Sequence, residues 1–164
     1  MKRFAVAFTG PSGSGKTTLV EKISKVLVET REVAIIKHDP KDKGIFDTKG
    51  KDSDKFSQTG AEVIVTSPTR TTYFSKRNKE LDEIIRIFNH FDILLVEGLK
   101  TLPLPRIAIF RNTIELNYLN CSEAIAIDNS INIKDYNIPS NIDILDLNNT
   151  QEIIEWIDKN AKSV

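Results

Sequence analysis

Short apolar runs alternate with longer amphipathic segments along most of the chain. The first run, Phe4–Phe8, contains only apolar residues, which is typical of a strand buried on both faces of a parallel sheet. From Thr17 to Thr30, apolar residues recur at a helical spacing with polar and charged residues between them, which predicts an amphipathic helix packed on that strand. The same two patterns predict further strands over 32–36, 93–96, 106–110, 123–128 and 142–147, and further helices over 52–60, 78–90 and 149–162.

This alternation predicts an α/β fold with a mainly parallel sheet flanked by helices. The stretch 40–76 interrupts the pattern, since it begins with a long polar segment of mixed charge. Two runs rich in β-forming residues follow over 62–66 and 69–75, which predicts a hairpin-like pair of strands. We therefore expect a single domain, 1–164, with a small β-rich insertion around 40–76.

A glycine-rich loop joins the first predicted strand to the first predicted helix. Its spacing, Gly10-x-x-x-x-Gly15-Lys16-Thr17, fits the phosphate-binding loop of the P-loop nucleotide-hydrolase fold. Glycine lets the backbone approach a polyphosphate, and successive N–H groups with the helix N-terminus form a nest for its negative charge. Lys16 is expected to reach the β- and γ-phosphates, and the Thr17 hydroxyl to ligate Mg²⁺. The predicted nucleotide-binding residues are Gly10, Ser12, Gly13, Ser14, Gly15, Lys16, Thr17 and Thr18.

Acidic residues follow several predicted strands, at the edge of the sheet where ligands bind in open α/β folds. Mg²⁺ bound to a triphosphate is held by one or two carboxylates, and Glu97, after four apolar residues, is placed like the acidic residue of a Walker B element. Asp39 is expected to reach the metal through water or to orient the attacking water. The predicted metal ligands are thus Thr17, Glu97 and Asp39, and the predicted catalytic residues are Lys16, Asp39 and Glu97. A solvent-exposed strand end for Glu97 and a turn before Pro40 for Asp39 stay open as plainer alternatives.

The identity of the base is less constrained by the sequence. Asp128, at the end of the strand over 123–128, is a candidate to accept hydrogen bonds from guanine N1–H and N2–H, with a solvated turn as the alternative. The run Asn132-Ile-Lys134-Asp135 differs in spacing from the Asn-Lys-x-Asp run that selects guanine in Ras-type GTPases. These motifs alone do not separate GTP from ATP.

The composition narrows the classes of partner. The 164 residues carry 23 basic and 23 acidic side chains, so a general affinity for nucleic acid or for anionic membranes is not expected. Cys121 is the single cysteine, which rules out an internal disulfide and fits a reducing compartment. Apolar runs fall short of a membrane span or a signal-peptide core, so the expected location is the cytoplasm.

Five motifs occur together and in a fixed order: the glycine loop at 10–19, Ile36-Lys37-His38-Asp39, Asp47-Thr-Lys-Gly50-Lys51-Asp52-Ser53, Thr59-Gly60-Ala61 and Leu95-Val96-Glu97-Gly98-Leu99-Lys100. In this combination the chain resembles the MobB family, the molybdopterin-guanine dinucleotide biosynthesis adaptor proteins. The Gly-Lys-Asp-Ser and Val-Glu-Gly-x-Lys runs are the specific parts, and the resemblance covers roughly 4–128. The chain departs from the family after His38, where members are often richer in histidine.

The resemblance implies a GTP-binding homodimer that depends on Mg²⁺ and has weak GTPase activity. Members of the family assist the guanylyltransferase that joins GMP to molybdopterin in molybdenum cofactor biosynthesis. That enzyme and molybdopterin itself are the implied partners. Lys51, Asp52 and Ser53 match a family motif, and with Lys100 they are the implied lining of a nucleotide or cofactor cleft.

Two other functions are compatible with the same loop. A P-loop kinase that phosphorylates a nucleoside or other small molecule with ATP would need a cationic lid, for which Arg70, Lys76, Arg77 and Lys79 are candidates. A metallochaperone GTPase is disfavoured by the sparse cysteine and histidine. An arginine that stabilises the transition state is not evident, and Arg70 or Arg111 of a partner subunit stay candidates.

Overall fold

The computed structural model describes residues 2–164, which form two compact units. The first unit comprises the residues up to His38 together with His90–Val164, and the second comprises Asp39–Asn89. The strands are β1 (Phe4–Thr9), β2 (Val33–Lys37), β3 (Val63–Ser67), β4 (Arg70–Phe74), β5 (Ile93–Glu97), β6 (Arg106–Phe110), β7 (Ala124–Ile127), β8 (Asp143–Asp146) and β9 (Lys162–Ser163). The helices are α1 (Lys16–Leu27), α2 (Asp52–Gln58), α3 (Leu81–Phe88) and α4 (Thr150–Asn160).

The first unit is built on a mainly parallel sheet, as the alternation of strands and helices predicts. Its strand order is β2-β5-β1-β6-β7-β8, and every neighbouring pair in this order is parallel. The chain leaves β1 through α1 to reach β2, and β5 later inserts between them. β1 therefore lies in the interior of the sheet, and the loop that follows it opens at the carboxyl edge, where open α/β sheets bind ligands.

Two helices cover one face of this sheet. Four apolar residues of α1 recur at helical spacing and are buried (Leu19, Val20, Ile23 and Leu27). Helix α4 buries a stripe beside them (Ile153, Ile154, Trp156 and Ile157), and both stripes join one core with β1, β5 and β6. The Trp156 indole N–H donates to Asp143 Oδ2 at 2.7 Å, which satisfies the polar end of this large ring.

The opposite face is covered in part by irregular segments between β6 and β8. A second core cluster joins Ala108, Phe110 and Ile125 of the sheet to apolar residues in the connections, such as Leu119 and Ile131. Two short 3-10 helices, Leu116–Cys121 and Ile133–Asp135, lie in these connections. They have few residues per turn and no long apolar period, so the helical spacing that predicts α1 and α4 gives no signal for them.

The second unit contains a two-stranded antiparallel sheet, β3 with β4, and the helices α2 and α3. Within residues 39–89, Ser57 alone is buried, while Ile45 and Phe46 are 91% and 80% exposed. An ion pair of Lys79 with Glu62 at 2.9 Å lies beside the hairpin, and hydrogen bonding from Lys79 lowers the pKa of Glu62 to about 2. That 40–76 is an insertion into one domain stays a prediction.

Two elements differ from the sequence pattern, α3 because of its capping and β9 because of its short length. The predicted helix over 78–90 is shorter in the structure, because Glu80 and Glu83 form a capping box that starts α3 at Leu81 and Asn89 leaves the helical conformation with φ 59°. The two-residue strand β9 pairs antiparallel with Phe4 and Ala5 of β1 and is too short to show a period.

In residues 2–164 no helix is long and apolar enough to cross a membrane.

Helix α1 allows a matched test of the packing. Ile23 is fully buried against the sheet, whereas Val26 on the same helix is 44% exposed. We expect Ile23→Ala to lower the free energy of unfolding by about 2–5 kcal/mol, because it removes buried methyl groups and leaves a cavity. Val26→Ala should change it by about 0.5 kcal/mol or less. Urea unfolding of both variants measures the difference, and equal losses would contradict this packing.

Candidate functional site: the glycine loop and the strand ends beside it

The loop between β1 and α1 needs glycine at two positions for different reasons. Gly10 has φ 138°, and a Cβ there would lie 2.3 Å from the Ile109 carbonyl oxygen on neighbouring β6. Gly15 has φ 98° and is the N-cap of α1, so it turns the chain into the helix through a left-handed conformation. The loop thus packs its backbone against β6 and leads directly into the N-terminus of α1, the kind of helix end at which backbone N–H groups bind anions.

Lys16, the first residue of α1, folds back over the loop. Its ammonium donates to the carbonyl oxygens of Gly10 at 2.9 Å and Pro11 at 2.7 Å. Burial lowers the pKa of Lys16, with the charges of Lys37 and Lys100 acting in the same direction and that of Glu97 opposing them. Lys16 is therefore a partly desolvated cation among other charges, at the mouth of the loop.

Thr17 and Glu97 lie side by side, although 80 positions separate them in the sequence. The Thr17 hydroxyl lies 3.3 Å and 3.4 Å from the two carboxylate oxygens of Glu97. The parallel register of β1 with β5 sets Phe8 opposite Glu97, so the carboxylate lies at the strand end next to the loop. Glu97 is only 8% exposed. A hydroxyl and a carboxylate are oxygen ligands of the kind that Mg²⁺ prefers.

An unpartnered hydroxyl supports the fit of this loop to a phosphate. Ser14 is 3% exposed, and its Oγ has no hydrogen-bond partner in the described part of the chain, residues 2–164. A buried hydroxyl without a partner is costly, and a bound oxyanion would supply an acceptor. Of the other predicted nucleotide-binding residues, Ser12, Gly13 and Thr18 belong to the loop and the first turn of α1. Their contact with a nucleotide stays a prediction.

Lys37 is a site residue that the sequence reasoning did not single out. It ends β2, directly opposite Glu97 in the parallel register of β2 with β5. Its ammonium lies 3.0 Å from Glu97 Oε1. Its sequence signals were its position at the end of an apolar run and its place in the Ile36-Lys37-His38-Asp39 motif, neither of which indicated a contact with Glu97.

Arg106 is a second residue that the pattern could not identify. It begins the buried strand β6 and is 1% exposed. Its guanidinium donates to the carbonyl oxygens of Gly98 at 3.0 Å, Leu99 at 3.1 Å and Leu102 at 3.1 Å. These bonds hold the loop that follows Glu97, in which Leu99 has the uncommon φ of 49°. Lys100, on the same loop, places its ammonium 3.7 Å from the centre of the Tyr118 ring, a cation–π contact.

Asp128 follows β7 and is engaged with its neighbours. Its Oδ1 accepts from the Ser130 hydroxyl at 2.5 Å, and its Oδ2 lies 3.3 Å from Arg111 Nε. The hydrogen bonds from Ser130 lower its pKa, and Arg111 adds to the shift. A Cβ on Gly15 would lie 3.4 Å from Arg111 Nε, so this ion pair borders the glycine loop. The predicted contact of Asp128 with a base stays a prediction.

Asp39 and the run Lys51–Ser53 belong to the second unit. The Asp39 carboxylate accepts from the backbone N–H groups of Lys41 at 3.2 Å and of Lys43 and Gly44 at 2.7 Å, an arrangement typical of a turn. Lys51 is the N-cap of α2, and Asp52 and Ser53 follow in its first turn. Their roles as metal ligand and cleft lining stay predictions.

Comparison with known proteins identifies the family. The family model MobB, described as molybdopterin guanine dinucleotide synthesis protein B, matches residues 5–129. The chain belongs to the MobB family. A relative from Haemophilus influenzae, named molybdopterin-guanine dinucleotide biosynthesis adapter protein, is 32% identical over 161 residues, which cover 93% of this chain and 86% of the relative. A Bacillus subtilis relative described as the same kind of adapter protein is 30% identical over 131 residues, covering 74% and 73%.

The fold agrees with that of MobB proteins. The crystal structure of Bacillus subtilis MobB superposes with a TM-score of 0.73 at 22% identity, covering 96% of this chain and 98% of the other. This likeness confirms the predicted α/β fold with a mainly parallel sheet and a small antiparallel sheet. The resemblance to the MobB family that the five motifs indicate is confirmed as well.

Substitution at two glycines tests the loop geometry. We expect Gly10→Ala to lower the free energy of unfolding by about 3 kcal/mol or more, because the new methyl group combines backbone strain with a clash against the Ile109 carbonyl oxygen. Gly13 has φ 77°, and a Cβ added there would have no atom within 4 Å. Gly13→Ala should therefore cost about 1–2 kcal/mol, the left-handed strain alone. Thermal unfolding distinguishes the two, and a Gly10→Ala variant as stable as Gly13→Ala would contradict the close approach.

Proposed function

We propose that this chain binds GTP with Mg²⁺, hydrolyses it slowly, and acts as an adaptor for the guanylyltransferase that completes the guanine dinucleotide form of the molybdenum cofactor. The observation that carries the proposal is the contact of the Thr17 hydroxyl with the Glu97 carboxylate beside the glycine loop, at 3.3 Å and 3.4 Å. It occurs in a chain of the MobB family, whose curated relatives are named adapter proteins of this pathway.

Each residue of the site has a distinct part in holding the nucleotide. The backbone N–H groups at the start of α1 and the Lys16 ammonium would bind the phosphate oxygens. Thr17 and Glu97 would supply protein oxygens to Mg²⁺, while the role of Asp39 stays a prediction. Bound Mg²⁺ would neutralise charge on the phosphates. The protein's own work is to fix these donors in place before the nucleotide arrives.

Slow hydrolysis is proposed because two arginines near the site are already engaged with other groups of the protein. Arg111 borders the loop at Gly15 and is paired with Asp128 at 3.3 Å. Arg106 is buried and gives its guanidinium to three carbonyl oxygens. Both guanidinium groups thus have protein partners in this structure. An arginine that stabilises the transition state is worth about 10³–10⁵ in rate where it exists, and we propose that a partner subunit or the partner enzyme supplies it.

Guanine selection is proposed through Asp128, since a carboxylate can accept from N1–H and N2–H together. Hydrogen bonds from Ser130, together with the charge of Arg111, lower the pKa of the Asp128 carboxyl, which favours its ionised form. The test is a competition in which GTP displaces a bound fluorescent nucleotide at lower concentration than ATP. Asp128→Asn should narrow that preference, because the amide offers one acceptor and one donor site in place of two acceptors.

An adaptor requires a partner enzyme, whereas a kinase would act alone on its substrate. The names of the curated relatives do not support the kinase alternative. We propose that the partner is a molybdopterin guanylyltransferase, that molybdopterin can take part in the complex, and that the chain acts as a homodimer. The test is co-purification with the guanylyltransferase in GTP and Mg²⁺, with sedimentation to give the stoichiometry. Equal recovery with and without nucleotide would contradict a nucleotide-dependent adaptor.

Lys16 allows a direct test of triphosphate binding. Lys16→Ala should weaken binding of GTP by about 100-fold or more, because a charge-assisted contact to phosphate is lost. Its unfolding should stay close to that of the wild type. The matched control is Lys22→Ala, which removes an exposed ammonium from the same helix and should bind GTP normally. Calorimetry measures both variants, and retained binding by Lys16→Ala would overturn the proposed phosphate site.

A Glu97 variant allows metal binding to be tested separately from nucleotide binding. Glu97→Gln should lose the Mg²⁺ dependence of binding and reduce hydrolysis about tenfold or more, since an anionic metal ligand becomes neutral. Binding of GTP without Mg²⁺ should be unchanged or tighter, because a negative charge near the phosphates is removed. Titrations with and without Mg²⁺ test this, and turnover equal to that of the wild type would assign Glu97 a structural role.

A further inference from the structure

Lys37 forms an ion pair with Glu97, which is the proposed metal ligand. The Lys37 ammonium lies 3.0 Å from Oε1 of Glu97, the same carboxylate that contacts Thr17. A cation within this distance competes directly with any other cation for that oxygen. The pair lies wholly within the first unit, on neighbouring parallel strands whose register sets the two residues opposite each other.

The two partners differ sharply in exposure. The Glu97 side chain is 11% exposed and the Lys37 side chain is 61% exposed. A largely buried negative charge is stabilised by an opposite charge beside it. An exposed lysine on a flexible stem can supply that charge and can also move into solvent at low cost. The carboxylate is thus fixed, and its partner is free to leave.

We propose that Lys37 is the internal counter-ion of the divalent-cation site: its ammonium pairs with Glu97 when the site holds no metal, and a bound divalent cation displaces it. The inference rests on the proposed function for the identity of the site and adds a regulated competition to it. The metal and the Lys37 ammonium compete for Glu97 Oε1, so Lys37 weakens the metal affinity of the free protein.

The displaced ammonium has a further use. Lys37 is close enough to Lys16 that its charge contributes to lowering the Lys16 pKa. Once released from Glu97, it adds to the positive charge around the glycine loop. A nucleotide that arrives with its divalent cation therefore meets one more unpaired ammonium than a nucleotide that arrives alone, which couples metal binding to phosphate binding.

The test uses Mn²⁺ alone, without nucleotide, so that it does not depend on nucleotide binding. Electron paramagnetic resonance measures free Mn²⁺ against the intact protein and three variants. Lys37→Gln should bind Mn²⁺ about five-fold more tightly than the wild type, the upper end for an exposed ion pair, because one partner is buried. The control Lys22→Gln removes the same charge from an exposed position on α1 and should match the wild type. Glu97→Gln should lose the site.

The Mn²⁺ titration has two results that would overturn the proposal. One is equal Mn²⁺ affinity in the wild type and Lys37→Gln. The other is that neither of these two proteins has a Mn²⁺ site that is absent from Glu97→Gln. Failure of the proposed function would instead appear as loss of GTP binding with this Mn²⁺ pattern intact.

Acetylation of the Lys37 amine, monitored by mass spectrometry, is a second readout. Its rate should increase about five-fold with Mn²⁺ in the wild type. In Glu97→Gln it should be fast with or without Mn²⁺, and unchanged labelling in the wild type would contradict displacement.

Discussion

The parallel pairing of β5 with β1 is the constraint on which the candidate site depends. It sets Glu97 beside Phe8, two residues before the glycine loop, and the loop in turn packs Gly10 against the Ile109 carbonyl of β6. Because β1 lies inside the sheet, these neighbours are fixed on both sides. Thr17 then meets Glu97 through ordinary helix geometry, since α1 begins one residue earlier at Lys16.

Charge at the site is arranged around one buried carboxylate. Lys37 pairs with Glu97 directly, while Lys37 and Lys100 both lie near enough to Lys16 for their charges to lower its pKa. Three cations against one anion leave the loop with an excess of positive charge, although the whole chain is neutral. Such a local excess attracts a polyanion, and it agrees with the buried, unpartnered Ser14 hydroxyl and the helix N-terminus beneath the loop. Arg106 keeps this arrangement in place by holding the backbone after Glu97.

Periodic patterns account for what the sequence could predict. Continuous apolar runs predict the buried strands β1, β5 and β6. Apolar residues at helical spacing predict α1 and α4, and the glycine spacing predicts the loop between β1 and α1. The motif order also indicates the MobB family, which the comparisons confirm. Elements without a repeat were missed, namely β9 and the two 3-10 helices.

The roles of two site residues could not be predicted, because their contacts depend on the folded structure. Lys37 and Glu97 are 60 positions apart, and only the strand register joins them. Arg106 begins an apolar strand, a position at which a charged residue is usually exposed, and its burial depends on three carbonyl oxygens from a loop of irregular conformation. In the second unit Ser57 alone is buried, so its helices and its hairpin are recognised from local spacing and β-forming residues and not from a buried core.

The loop after β1 is proposed to bind a nucleotide through its phosphates. Calorimetric titration of the wild-type protein with GTP, GDP and guanosine, all in Mg²⁺, is the most direct test. We expect GTP and GDP to bind while guanosine binds about 100-fold more weakly or not at all, since most of the affinity comes from charge-assisted contacts to phosphate. Guanosine binding as tightly as GDP would contradict it.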